Sequence, residues 1–175
     1  YMGARAPYGY LKPDEDVTSL VINPETAPVV KMMFQKYLDG MNLTQLARYL
    51  NEQGIMCPGQ YKKEVLKTGV KNTTEKYIWY PTTVRLILKT ETYVGTTISG
   101  KWKVASVGSH KHLKTKEEDW IVVEGTHEPI ISQEMFDAVQ EKLELNSRKK
   151  QKTHNNNYPL KGLVKCGGCG QNLQH

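Results

Sequence analysis

Two stretches decide the fold: GMNLTQLARYLNEQGI, residues 40–55, and its continuation YPTTVRLILK, residues 80–89. In the first, Leu43, Leu46, Ala47 and Leu50 recur at the spacing of one helix face. Asn42 offers a side-chain oxygen to the helix start, and Gln45 can reach back to close a capping box. Gly54 suits the left-handed position at which such a helix stops. In the second, Thr82 or Thr83 is the expected cap, and Val84, Ile87 and Leu88 share a face. Arg85 and Lys89, four apart, lie side by side on another. A short helix with a small Ala on its packing side, followed by a second carrying bases, predicts a helix-turn-helix that binds DNA.

The rest of the chain bears on that reading through charge. Net charge is +6, but the signs are segregated. Residues 58–90 hold seven bases against two acids, residues 148–175 six against none, and residues 117–147 one against nine. A surface with no polyanionic partner more often intersperses its signs. Lysines number 20 and arginines only four, so most of these bases suit phosphates rather than base edges. No apolar run is long enough to span a bilayer and no signal peptide opens the chain, so a cytoplasmic protein without a membrane partner is expected. Three cysteines do not make a disulfide framework.

Residues 1–16 read as an arm. Gly3, Ala4, Ala6, Pro7 and Gly9 leave little bulk around Arg5, and a slim extended segment can enter a minor groove about 6 Å wide. Tyr8 beside it is counted among the DNA contacts. Residues 17–146 form the expected globular domain. It holds a short strand at 17–22, a helix capped near Thr26 with Val30, Met33, Phe34 and Tyr37 inward, and the two decisive stretches. Strands are expected over 93–105 (broken at Gly100) and 119–124, with a polar hairpin tip between. A helix capped by Ser132 completes it, with Met135, Phe136, Val139 and Leu143 as its apolar stripe. The architecture is α+β: mostly helical and helix-turn-helix-like, with a small antiparallel sheet and a C-terminal helix. The loop at 57–79 is lysine-rich and reads as facing phosphates through Lys62, Lys63, Lys67, Lys71 and Lys76. Trp79 at its end reads as a core anchor. Residues 147–159 read as a basic linker and 160–175 as the start of a zinc ribbon.

Cys166-Gly-Gly-Cys169-Gly has the spacing of a zinc-knuckle turn. Two thiolates are half of a tetrahedral set, so an incomplete metal site is expected here. No catalytic constellation emerges. The serines have no paired base at recognisable spacing, and four scattered arginines do not make the phosphate clamp that a tyrosine strand-transfer site needs.

The residues then match a family. GARAPYGY at 3–10, PETAPVVKMMFQKYLDGMNLTQLARYLNEQGI, YPTTVRLILKTETYVG at 80–95, HEPIISQEMFDAVQEKL and LKGLVKCGGCG stand in the order seen in large serine recombinases, the phage integrases and conjugative-transposon resolvases. The chain resembles their DNA-binding half. That resemblance implies a non-catalytic piece recognising an attachment site in double-stranded DNA. The serine nucleophile would lie in a domain outside this chain, and zinc and other recombinase subunits would enter only in the full-length protein. It implies that the 3–9 arm lies in the minor groove and the helix from Thr82 in the major groove. Thr82, Thr83, Arg85 and Lys89 would then face bases, with Cys166 and Cys169 as the first zinc pair. A protein-interaction module and a free-standing helix-turn-helix regulator are the alternatives.

Overall fold

The computed structural model describes residues 6–13, 19–67, 77–104, 112–151 and 167–169. The chain divides into two units, 1–140 and 141–175. Arg5, Lys71, Lys76 and Cys166 lie outside the described residues. The second unit contains the end of one helix and a short exposed turn at 167–169.

The first unit is built on three helices, α1 (Ala27–Leu38), α2 (Leu43–Glu52) and α4 (Pro81–Leu88), with the short α3 (Pro58–Glu64) between the last two. Each of the three turns its apolar stripe inward. Val30, Met33, Phe34 and Tyr37 of α1, Leu46 and Leu50 of α2, and Val84 and Leu88 of α4 are all fully buried. Burial of one such side chain contributes about 1.5–3 kcal/mol, so these faces dominate the hub's stability.

Local chemistry fixes the helix ends. Asn42 accepts from the Thr44 and Gln45 amides (3.0 and 2.9 Å), while the Asn42 amide donates to Gln45 Oε1 (2.9 Å), the expected capping box. At the far end Gly54 has φ +65°, and the Ile55 amide returns to the Leu50 carbonyl. Helix α4 corrects the expected cap. Tyr80 is its N-cap and Pro81 its first helical residue, so Thr82 and Thr83 lie inside the first turn. Proline at this position has its φ preset and lacks an N–H that would be unsatisfied anyway.

A strap from the N-terminus threads this hub. Strand β1 (Tyr10–Leu11) pairs antiparallel with β2 (Val21–Ile22), the described remnant of the longer strand expected at 17–22. Gly9 crosses at φ +99°, where an added Cβ would come within 2.9 Å of Ile130 Cδ1 and 3.1 Å of Val30 Cγ2. Only glycine fits both that conformation and that space. Its amide donates to Thr26 Oγ1 (3.1 Å), so Thr26 precedes α1 with its hydroxyl engaged by the strap rather than by the helix.

Beyond α4 a 3-10 turn (Glu91–Val94) leads into an interrupted hairpin. Strand β3 (Thr97–Ser99) pairs with β6 (Ile121–Val123), and β4 (Trp102–Val104) pairs with β5 (His112–Lys114). Both ladders are antiparallel. The break on the outgoing side is Gly100–Lys101, with Gly100 at φ +82°, the interruption expected there. The return side spends Thr115–Trp120 on the same step, including a 3-10 turn at Glu117–Asp119. Helix α5 (Gln133–Gln151) follows, with the Met135 amide donating to Ser132 Oγ. Its backbone stays helical past residue 147, where a linker was expected, because Arg and Lys are good helix formers.

Candidate nucleic-acid interface

Helix α4 and its C-cap Lys89 carry the residues expected to face bases in the major groove, and the hub determines which of the helix's faces is free. Inward go Val84, Ile87 and Leu88. Outward, at spacings of three, one and three, stand the exposed Thr82, Arg85, Leu86 and Lys89. Thr83 is half-buried, turned partly off this stripe. The helix contains no acid, and neither Arg85 nor Lys89 forms an ion pair among the described residues. Bases in a last turn also complement the helix dipole, which alone would justify one of them. It does not account for a whole outward face without a carboxylate.

What holds that face in place is absent from the periodicity. Asn51 of α2 grips the segment leading into α4 from both sides. Its amide nitrogen donates to the Trp79 carbonyl (3.0 Å), and its oxygen accepts from the Trp79 amide (2.8 Å). The buried Trp79 indole N–H donates to the Ile55 carbonyl (2.8 Å), just past the end of α2. The two decisive stretches are thus joined as a turn would join them, although 24 residues separate Ile55 from Trp79. At the other end Gln140 Nε2 donates to the Leu88 carbonyl (2.6 Å).

Tyr8 is a correction. Its ring is buried edge-on against Tyr61 and Trp79, at 6.0 and 5.6 Å between centroids, and its hydroxyl donates to the Met56 carbonyl (3.0 Å). Burial foremost, with Tyr61 and Cys57 adding to it, pushes the phenol well above the ordinary tyrosine range. A large aromatic ring is stabilised more by this packing than by solvent, so Tyr8 anchors the arm and leaves the set of DNA contacts. Because Tyr8 packs on Trp79, this residue of the arm lies beside the lead-in to α4.

The basic loop is partly helical. Lys62 and Lys63 lie on α3, and Lys67 just beyond it has φ +46°. Lys63 sits over the Tyr77 ring, 5.1 Å from its centroid, which places α3 beside the lead-in to α4. Tyr61 of α3 donates to Glu25 Oε2 and accepts from the buried Asn23, both at 2.8 Å, and so ties α3 to the start of α1. Burial raises its hydroxyl pKa; the Asn23 hydrogen bond works in the opposite direction.

Two residues escaped the sequence reading. Leu86 was visible as an apolar residue off the apolar face. Asn51 gave no signal, since its partner lies 28 residues away. Cys169 is exposed, and among the described residues no three His, Cys, Asp or Glu side chains gather as a metal site. Nor is any described helix long and apolar enough to cross a membrane.

These features define a helix-turn-helix-like α+β module with an outward cationic helix. The chain belongs to the Recombinase family, whose model matches residues 24–146. It is 28% identical over 178 residues to a provisionally named DNA recombinase of Bacillus subtilis (strain 168), covering 95% of this chain and 32% of that protein. An uncharacterized protein of the same organism, YefB, is 33% identical over 98 residues, 56% of this chain and 30% of its own. The chain therefore spans about a third of the length of these relatives. Two solved structures share its fold. One, described by the sequence requirements of the Listeria innocua prophage attP site, superposes with TM-score 0.54 at 20% identity, over 98% of this chain and 56% of that one. The other, a large serine recombinase in complex with DNA, gives 0.51 at 22%, over 98% and 42%.

Proposed function

We propose that this chain is the DNA-binding part of a serine site-specific recombinase and grips one half of a duplex attachment site. The observation that carries the reading is the outward face of α4, where Thr82, Arg85 and Lys89 stand on a helix locked to its neighbours and free of acids. In the major groove this face meets base edges, with Arg85 suited to guanine. Thr83, half-buried, contributes from the margin. The Arg5 arm runs into the adjacent minor groove, and Lys62, Lys63, Lys67, Lys71 and Lys76 hold phosphates.

The domain limits follow the same reading: arm 1–16, recombinase domain 17–146, linker 147–159 and ribbon start 160–175. Cys166 and Cys169 supply two thiolates to a structural zinc ion. Strand exchange is assigned to a serine-nucleophile domain elsewhere in the protein, and partner subunits join through the full-length recombinase. The setting is the bacterial cytoplasm.

Fluorescence anisotropy on a labelled duplex tests this. Log K is expected to fall linearly with log salt, at about −0.9 per phosphate neutralised. A flat profile overturns the reading and favours a protein-interaction module, for which the exposed apolar residues Ile121, Val122 and Val123 of β6 would be the candidate surface.

A further inference from the structure

Leu86 is 69% exposed, the highest value among the exposed large apolar side chains of the described residues. A single exposed leucine is ordinary. Its position is not, because Thr82, Arg85 and Lys89 surround it on the outward face of α4. Four residues after Thr82 and three before Lys89, it occupies the middle of that stripe. Side chains at the middle of a helix face lying in a major groove approach the base edges most closely. There the available hydrogen-bonding groups are polar, and the apolar group is the C5-methyl of thymine.

We propose that Leu86 is a specificity residue that packs on a thymine methyl between the positions met by Thr82 and Lys89. This rests on the DNA reading above. The contact removes apolar surface of both partners from water, and cytosine, which lacks the methyl, offers nothing in exchange.

The experiment starts from the full chain and a random duplex library, from which the bound half-site is selected. Each thymine of that site is then replaced singly by deoxyuridine, which deletes only the methyl, and affinities are measured at fixed salt. One position is expected to weaken wild-type binding roughly three- to fivefold, as removal of one buried methyl group should. Leu86→Ala and Leu86→Gln are expected to bind the thymine and uracil duplexes equally at that position. Circular dichroism melts should match wild type, since the side chain is exposed. Enrichment of a site with no uracil-sensitive position, or with sensitivity retained in both variants, overturns the thymine contact alone. Failure to enrich any duplex overturns the DNA reading itself.

Discussion

The helical hub and the hairpin of residues 97–123 are made of similar residues used in opposite ways. In the hub, Val30, Leu46, Leu50, Val84 and Leu88 are sealed from water. On the hairpin, Ile121, Val122 and Val123 are all exposed, at 64%, 52% and 49%, so alternate residues find no buried face on either side of the ladder. Hydrophobicity by itself therefore does not say what is core. The hub is stabilised by interdigitated side chains. The hairpin is held at its base, where the Thr126 amide donates to the Gly95 carbonyl and His127 bonds to the Thr92 carbonyl. Gly95 is required at that corner, for an added Cβ would lie 2.8 Å from the His127 carbonyl oxygen.

Mutations can break or sharpen this contrast. The largest effect is expected from Phe34→Ala, which opens a cavity in the hub and should cost about 3–5 kcal/mol in urea unfolding. A loss below 1 kcal/mol would show that the hub is not the stabilising region. Asn51→Ala removes both hydrogen bonds to the Trp79 backbone and should cost about 2–3 kcal/mol, with DNA affinity falling alongside because α4 loses its register. Arg85→Ala should leave the melting temperature unchanged and cost about 1–3 kcal/mol of binding, relaxing preference at one base pair. Equal loss on all sequences would reduce Arg85 to a phosphate contact. Val122→Thr on the hairpin should change stability by no more than about 0.5 kcal/mol.

The buried tyrosines of the strap add a pH dependence. Tyr8 and Tyr10 both have hydroxyl pKa values raised by burial above the ordinary tyrosine value of 10.0. The folded state thus favours the neutral phenol, and its contribution is complete below pH 10. The unfolded chain ionises first as pH rises past that point, so stability falls from there towards the folded-state values. Urea midpoints between pH 8 and 11 should show this decline. Tyr8→Phe, which keeps the ring but has no proton to lose, should make the decline shallower and leave the share of Tyr10.

Much of this was legible in the chain because the signals are local. The capping box at Asn42–Gln45, the stop at Gly54, the inward stripes of α1 and α2, and the bases at Arg85 and Lys89 each depend on residues within one or two turns. Proline at position 81 is equally local, and it opens α4 ahead of the threonines that follow it. Tyr8 differs because its packing partners are distant in sequence. A tyrosine between Pro7 and Gly9 looks like part of a slim arm until Trp79 and Tyr61 are known to close around it.

Taken alone, the sequence determined helices α1, α2, α4 and α5, their apolar faces, the segregation of charge and the family, and it read α3 as loop. Only the tertiary structure decided which outward face of α4 is left uncovered and that Asn51 bridges the gap to Trp79. It also turned Tyr8 inward and left Val122 and Val123 of the hairpin outside. The reason is range. Periodicity and capping are set by neighbours along the chain, whereas the bonds from Trp79 to Ile55, Asn51 to Trp79 and Tyr8 to Met56 join residues 24 to 48 apart in sequence.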